Sequence, residues 1–367
     1  MCSSDLFVAA MALHKAFIDA SAKPLRHNLG ALMNAMGSSG VLTGAKAHML
    51  AEVWSTLFLV VPVVSTTFAS VERMLGALPS ESLGWLLIDE AGQALPQAAV
   101  GAVLRTRRAI VVGDPVQIEP VVPLPDSLTQ AICRRFGIDP DHFNAPVASA
   151  QTLADTATPY FAEFHGKHGS RSVGVPLLVH RRCAEPMFGI ANALAYERQM
   201  VQAKAARASA ILACLGPSRW IDIAVEGRDK WCPEEGAAVL DLLRRLAEAG
   251  IPANLYIVTP FVVVADNLRS LVEGSGILSA WTTDARAWTK ERIGTVHTVQ
   301  GREAEAVIFV LGAPNLDQDG ARGWAGGRPN LLNVALTRAQ EAVYIVGNRK
   351  LWRDAGVFGA LHDGLRP

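Results

Sequence analysis

Leu86-Leu-Ile-Asp89-Glu90-Ala-Gly-Gln-Ala94, followed by Ile110-Val-Val-Gly113-Asp114-Pro-Val-Gln117-Ile-Glu-Pro120, is the stretch on which the reading of this chain turns. Each half is a short apolar run that ends in polar groups, the pattern of a buried parallel strand with an accessible C-terminal tip. Paired acids at such a tip suit a nucleoside triphosphatase, in which Asp89 holds Mg²⁺ directly or through water and Glu90 orients or deprotonates the attacking water. The Gly-Asp-Pro-x-Gln tip brings an amide to the same neighbourhood, where Gln117 is suited to sense a terminal phosphate. An Asp-Glu pair alone reads equally well as a solvated turn, and Gln117 alone as a loop amide. The conjunction of the two tips favours chemistry.

Outward from this pair the chain alternates short apolar runs with amphipathic stretches. Residues 7–50 read as helical. Strands are expected at Leu59–Ser65, Trp85–Asp89 and Ala109–Gly113, with helices at Phe68–Ala77 and Gln93–Leu104. This strand–helix rhythm predicts an α/β fold with parallel, helix-covered sheets. Between Asp126 and Arg171 the pattern loosens, punctuated by Pro140, Pro146 and Pro159. A second series follows, with strands at Leu177–His180, Trp220–Val225, Leu255–Val258, Gly294–Thr298, Ala306–Leu311 and Ala342–Val346. Helices are expected at Ala184–Ala195, Glu234–Ala249, Val262–Val272 and Asn330–Ala339, and Gly320–Pro329 as a mobile Gly-rich connector. Two domains are therefore expected, 1–172 and 173–367.

Composition narrows the classes. Half the residues are hydrophobic and 19% are charged, which excludes a disordered chain. Lys+Arg and Asp+Glu both total 34, so any nucleic-acid contact must come from a local groove rather than a global basic field. Cys2, Cys133, Cys183, Cys214 and Cys232 contain no C-x-x-C pair, which argues against structural zinc and disulfides and fits a reducing cytoplasm. His165 and His168 lie close without acidic or sulfur company, so they read as solvated loop residues. The apolar run Leu57–Val64 is broken by Pro62 and too short to span a bilayer, and no basic-then-apolar leader opens the chain. A cytoplasmic protein is expected.

Further along stand Thr295-Val-His297-Thr-Val-Gln300-Gly301-Arg-Glu303, Asn333-Val-Ala-Leu-Thr-Arg338-Ala339, and Leu178-Val-His-Arg181-Arg182. Each has a bland account as a polar turn, a helix with a surface arginine, or a charged strand end. Together they supply the cations that a phosphoryl-transfer site between two domains requires.

The ordered set resembles the motifs of superfamily 1 helicases, in the branch that includes the nonsense-mediated-decay RNA helicase and its DNA-directed relatives. The family's DEAxQA, GDxxQLxP, QGxE and NVALTRA motifs correspond to Asp89–Ala94, Gly113–Pro120, Gln300–Glu303 and Asn333–Ala339. The resemblance covers Val61 to about Leu361 and implies two RecA-like domains, the first incomplete at its N-terminus, with ATP and Mg²⁺ between them. It implies that Asp89 holds the metal, Glu90 acts as base, Gln117 couples and Arg338 is the arginine finger. Gly113, Asp114, Gln300 and Gly301 would lie near the phosphates and Glu303 on the ribose. The family's second phosphate arginine falls at Arg181 or Arg182. Ser65, Thr66 and Thr67 in the first domain, and Thr259, Pro260, Phe261, Thr295 and His297 in the second, match contacts to single-stranded DNA or RNA. Hydroxyls and amides at strand tips suit backbone contact that ignores base identity.

One family element has no counterpart. A G-x-x-x-x-G-K-S/T loop should cradle the β- and γ-phosphates, and Gly40–Lys46 has the wrong spacing for it. Met1-Cys-Ser-Ser-Asp-Leu6 is what a widely used sequencing adapter encodes when its opening GTG serves as a start codon. The natural chain is therefore expected to continue upstream of Phe7, with an N-terminal segment that carries the phosphate loop. A helicase or translocase portion, inactive alone, is the first expectation. A non-catalytic remnant that binds nucleic acid or protein is the alternative.

Overall fold

The computed structural model describes residues 3–37, 49–114, 116–145, 147–166, 169–205, 207–299 and 301–365. The α/β class is as expected. The chain divides into two compact units, Met1–Gly113 with Val121–Gln151, and Asp114–Pro120 with Thr152–Pro367. Residues 152–172, expected with the first domain, belong to the second unit, as does the short segment 114–120.

In the first unit, helices α1 (Ser3–Ala20), α2 (Ala22–Gly37), α3 (Leu50–Val60) and α4 (Phe68–Leu75) precede strand β1 (Leu86–Ile88). Helix α5 (Pro96–Leu104) then leads to strand β2 (Ala109–Val111), followed by α6 (Asp126–Arg135) and α7 (Pro140–Phe143), while α8 (Ala150–Ala157) begins in this unit and runs on into the second. Strands β1 and β2 pair in parallel with Leu86, Leu87 and Ile88 opposite Ala109, Ile110 and Val111. The strand expected at Leu59–Ser65 does not form: α3 runs through Val60, and 62–67 lie in no helix or strand. Val53 and Trp54 of α3, with Leu57 and Phe58 beside them, pack on Leu32 and Leu78, so helical packing claims an apolar run too short for periodicity to classify.

The second unit opens with an antiparallel hairpin, β3 (Ala162–Gly166) and β4 (Gly169–Val173), which the sequence reading did not anticipate. Then come β5 (Val179–His180), α9 (Met187–Ala195), β6 (Val201–Gln202), α10 (Ala210–Leu215), β7 (Arg219–Asp222) and α11 (Pro233–Glu248). The remainder is β8 (Leu255–Thr259), α12 (Val262–Gly274), α13 (Ala285–Arg292), β9 (Ile293–Thr295), β10 (Ala304–Val310), α14 (Asp319–Gly326), α15 (Asn330–Thr337), β11 (Ala339–Gly347), α16 (Arg349–Trp352) and α17 (Phe358–Gly364). Five of these strands form one parallel sheet in the order β7-β11-β10-β8-β9. Strand β8 and nearly all of β10 and β11 are buried, which is why they read as largely apolar runs and occupy the middle of the sheet.

The expected strand at 294–298 is shorter, because the chain tightens into a 3₁₀ turn at Val296–Val299. The segment 320–329 is not a loose connector. Its first part forms α14, in which the buried Arg322 donates to the carbonyls of Ala313, Asn315 and Leu316 at 2.8, 2.5 and 3.1 Å. A Cβ on Gly326 would stand 2.1 Å from the Ala355 carbonyl oxygen, so this glycine permits the helix to close on the loop between α16 and α17.

Candidate functional site

In the first unit the tips of β1 and β2 are locked side by side. The Ala91 amide donates to the Val112 carbonyl at 2.9 Å and the Val112 amide donates to the Ile88 carbonyl at 2.8 Å. Gly113 is required here, since a Cβ would lie 2.6 Å from the Gly92 nitrogen and 2.8 Å from the Ala91 nitrogen. Glu90 adopts the left-handed conformation, φ 53°, an uncommon state for a non-glycine residue that suits a sharp turn at a functional tip.

Two contacts fix the acids. The Glu90 amide donates to Asp89 Oδ1 at 2.9 Å, and Gln93 Nε2 donates to Glu90 Oε2 at 3.0 Å. Asp89 is exposed. No group of three or more metal-ligating side chains exists among the described residues. One accessible carboxylate fits Mg²⁺, which keeps several waters and takes one or two protein carboxylates alongside phosphate oxygens.

In the second unit the segment 114–120 is threaded into a buried polar network. Gln117 Oε1 accepts from Arg338 Nη2 at 2.8 Å, and both side chains are buried. Asp114 Oδ2 accepts from Gln117 Nε2 at 3.1 Å and from the Tyr196 hydroxyl, while Asp114 Oδ1 accepts from the Val116 amide at 3.0 Å. Asn333 Nδ2 donates to the Val116 carbonyl at 3.1 Å and to the Tyr196 oxygen at 2.9 Å. Asn330 Nδ2 donates to the Gln117 carbonyl, and Arg328 pairs with Glu119. Helix α15 thus presents Asn330 and Asn333 to this segment, and its C-cap residue is Arg338. Tyr196 and Asn330 carried no signal that sequence reading used. Asn333 stood inside a quoted motif without a role of its own.

Two further motifs meet beside Arg338. The Ala304 amide donates to the Arg338 carbonyl at 3.1 Å, and the Ala184 amide donates to the Gln340 carbonyl at 2.9 Å. Arg182 Nε lies 3.2 Å from Glu303 Oε1, and Gln340 Nε2 donates to Glu303 Oε2 at 3.1 Å. Arg181 is exposed and makes no hydrogen bond or ion pair among the described residues. Burial, then the nearby Arg182 charge, holds His180 below the usual histidine range. Cys183 is buried, and desolvation pushes its thiol up to about 12, so it is inert. Gln300 lies outside the described residues, as do the Gly40–Lys46 segment and His168. Gly301 has φ 75° with open space where a Cβ would be.

The candidate nucleic-acid contacts differ between units. Ser65, Thr66 and Thr67 are exposed on the irregular segment ahead of α4, where Thr66 Oγ1 donates to Met74 Sδ at 3.1 Å. Thr259 and Thr295 lie opposite each other in register at the ends of β8 and β9. Thr259, Pro260 and Phe261 are buried, and Thr259 Oγ1 accepts from the Phe261 amide at 3.3 Å. His297 is exposed on the 3₁₀ turn.

Residues 161–350, just over half of the chain, match one AAA-domain family, and residues 45–123 match a second family also described as an AAA domain. The chain is 29% identical over 275 residues to the Regulator of nonsense transcripts 1 homolog of Drosophila melanogaster, across 72% of this chain and 21% of that protein. It is 28% identical over 154 residues to an uncharacterised ATP-dependent helicase of Methanocaldococcus jannaschii, across 40% of this chain and 20% of that protein. The Regulator of nonsense transcripts 1 homolog of Neurospora crassa is 27% identical over 131 residues, 35% of this chain and 11% of that protein. The chain therefore spans about a fifth or less of the length of these relatives. The crystal structure of an arterivirus nonstructural protein 10, a helicase, aligns with 76% of this chain and 41% of its own at 12% identity and a TM-score of 0.35. Among the described residues no helix is long and apolar enough to cross a membrane.

Proposed function

The chain belongs to the superfamily 1 helicases, and from that premise we propose that it is part of an ATP-dependent motor moving on single-stranded DNA or RNA in the cytoplasm. Asp89 holds Mg²⁺, which neutralises phosphate charge when bound. Glu90 orients and deprotonates the attacking water. Arg338 stabilises the charge on the transferring phosphoryl group, and Gln117 senses its loss. Of the two candidates for the second phosphate contact we assign Arg182, because it lies with Glu303 beside the Arg338–Gln340 segment. Glu303 binds the ribose, with Asp114, Gln300 and Gly301 around the phosphates. Ser65, Thr66, Thr67, Thr295 and His297 contact the nucleic-acid backbone. The buried triplet Thr259, Pro260 and Phe261 shapes that surface through its backbone.

One observation carries the reading: the 2.8 Å bond between Arg338 and Gln117. A guanidinium joined to a strand-tip amide couples two groups that are each suited to a terminal phosphate, so a change at one is felt at the other. The 367 residues contain no G-x-x-x-x-G-K-S/T loop, and we assign the phosphate cradle to sequence outside them. The same lack supports a second reading, a binding module without turnover.

ATP hydrolysis separates the two. The 367-residue chain is expected to show little turnover, and the longer open reading frame that contains it is expected to show turnover stimulated by single-stranded DNA or RNA. Absent activity in the longer protein would leave only the binding module, and turnover indifferent to single strands would contradict a motor on nucleic acid.

A further inference from the structure

We propose that Tyr196 is a positioning residue: by anchoring Asp114 it fixes the segment 114–120 in the register that presents the Gln117 side-chain oxygen to Arg338. The inference rests on the reading that Gln117 and Arg338 respond to nucleotide, and it extends that reading to a residue outside every quoted motif.

Tyr196 is the C-cap of α9, and the chain leaves it through two consecutive left-handed residues, Glu197 at φ 49° and Arg198 at φ 63°. Neither is glycine, so this turn is strained and persists only because its surroundings over-determine it. The determinant is Asn192. Its Nδ2 donates to the Met200 carbonyl at 3.0 Å, its Oδ1 accepts from the Met200 amide at 3.0 Å, and its carbonyl accepts from the Arg198 amide at 2.9 Å. The turn is clamped at its base, and the tyrosine emerges from it at a fixed angle.

The phenol ends in a committed set of partners. Its hydroxyl donates to Asp114 Oδ2 and its oxygen accepts from Asn333 Nδ2. Burial first, then the Asp114 charge, holds the phenol well above its ordinary titration range, so it remains a donor at any physiological pH. The tyrosine therefore occupies Asp114 Oδ2 from one side while Gln117 Nε2 occupies it from the other. With its Nε2 so bound, the Gln117 amide has one orientation available, Oε1 toward Arg338. The chain of contacts runs Tyr196, Asp114, Gln117, Arg338, every link a hydrogen bond within one compact unit.

Hydrogen exchange read by mass spectrometry on the 367-residue chain tests this. Tyr196→Phe removes only the hydroxyl. The amides of Val116 and Gln117 are expected to exchange about tenfold faster, with the peptides of β10 and β11 unchanged. Asp114→Ala, which also removes the Val116 amide's own acceptor, is expected to accelerate these amides at least as much, and Tyr196→Phe added to it to cause no further change, because the hydroxyl acts through that carboxylate. The proposal is overturned if residues 116–117 keep wild-type protection in Tyr196→Phe. It is equally overturned if β10 and β11 accelerate by the same factor, or if the two substitutions multiply. No nucleotide is present in this measurement, so its outcome and the outcome of the ATP hydrolysis test are independent.

Discussion

Arg338 and Gln117, 221 residues apart in the chain, meet through a 2.8 Å hydrogen bond between buried side chains. The arrangement makes the glutamine an acceptor for a desolvated guanidinium. Gln117→Ala is expected to destabilise the second unit by about 2 kcal/mol, the cost of taking a hydrogen-bond partner from a buried charge. Urea unfolding checks this. Gln117→Glu, which keeps an acceptor for Arg338 but sets a second carboxylate against Asp114 Oδ2, should not recover the loss.

The second unit should respond to pH through Glu235. This side chain is fully buried, and Oε2 accepts from the Gly312 amide at 3.0 Å. Burial pushes its carboxyl from the ordinary 4.5 up to about 8, the amide bond opposing. The folded state thus binds the proton more tightly than the unfolded chain. The associated stability is fully present below pH 4.5 and is lost as pH climbs through about 8. Urea midpoints measured across that window should fall in the wild type and stay flatter in Glu235→Gln. An equal slope in both proteins would refute the assignment.

Arg322 holds the loop after β10 by three bonds to backbone carbonyls. Arg322→Met leaves those carbonyls without their donor and is expected to cost about 3 kcal/mol. Limited proteolysis between residues 314 and 330 should accelerate with it. Arg322→Lys should rescue only partly, because a single ammonium does not reproduce the planar fork.

The β1–β2 sheet presents Leu87, 70% exposed, opposite Ile110, 44% exposed. Parallel strands are normally covered on both faces. The 367-residue chain is therefore expected to bind the dye ANS, and Leu87→Lys combined with Ile110→Thr to lower that signal several-fold. The urea transition of the second unit should not move. Dye binding that is indifferent to both changes would place the accessible apolar surface elsewhere.

Much of this was legible because strong local signals agreed with tertiary structure. The apolar runs at 86–88, 109–111, 255–259 and 304–310 are strands, and the polar tips of β1 and β2 are adjacent, as their register requires. Where reading failed, tertiary packing overrode local pattern. Leu59 and Val60 were carried into α3, whose Leu57 and Phe58 join a helical cluster, and Gly320, Gly323 and Gly326 were drawn into a helix with a buried arginine whose acceptors lie up to nine residues away. Tyr196 was invisible for a different reason. Its partners, Asp114 and Asn333, lie 82 and 137 residues off, and no periodicity reports a contact at such separation.

ATP hydrolysis by the longer open reading frame, assayed with saturating single strand as wild type, Glu90→Gln and Arg338→Ala, bears most directly on the proposed site. Each substitution is expected to lower kcat by about 10²-fold or more while leaving KM for ATP within a few-fold. Wild-type kcat in either variant would contradict the roles assigned to the acid tip and the buried arginine.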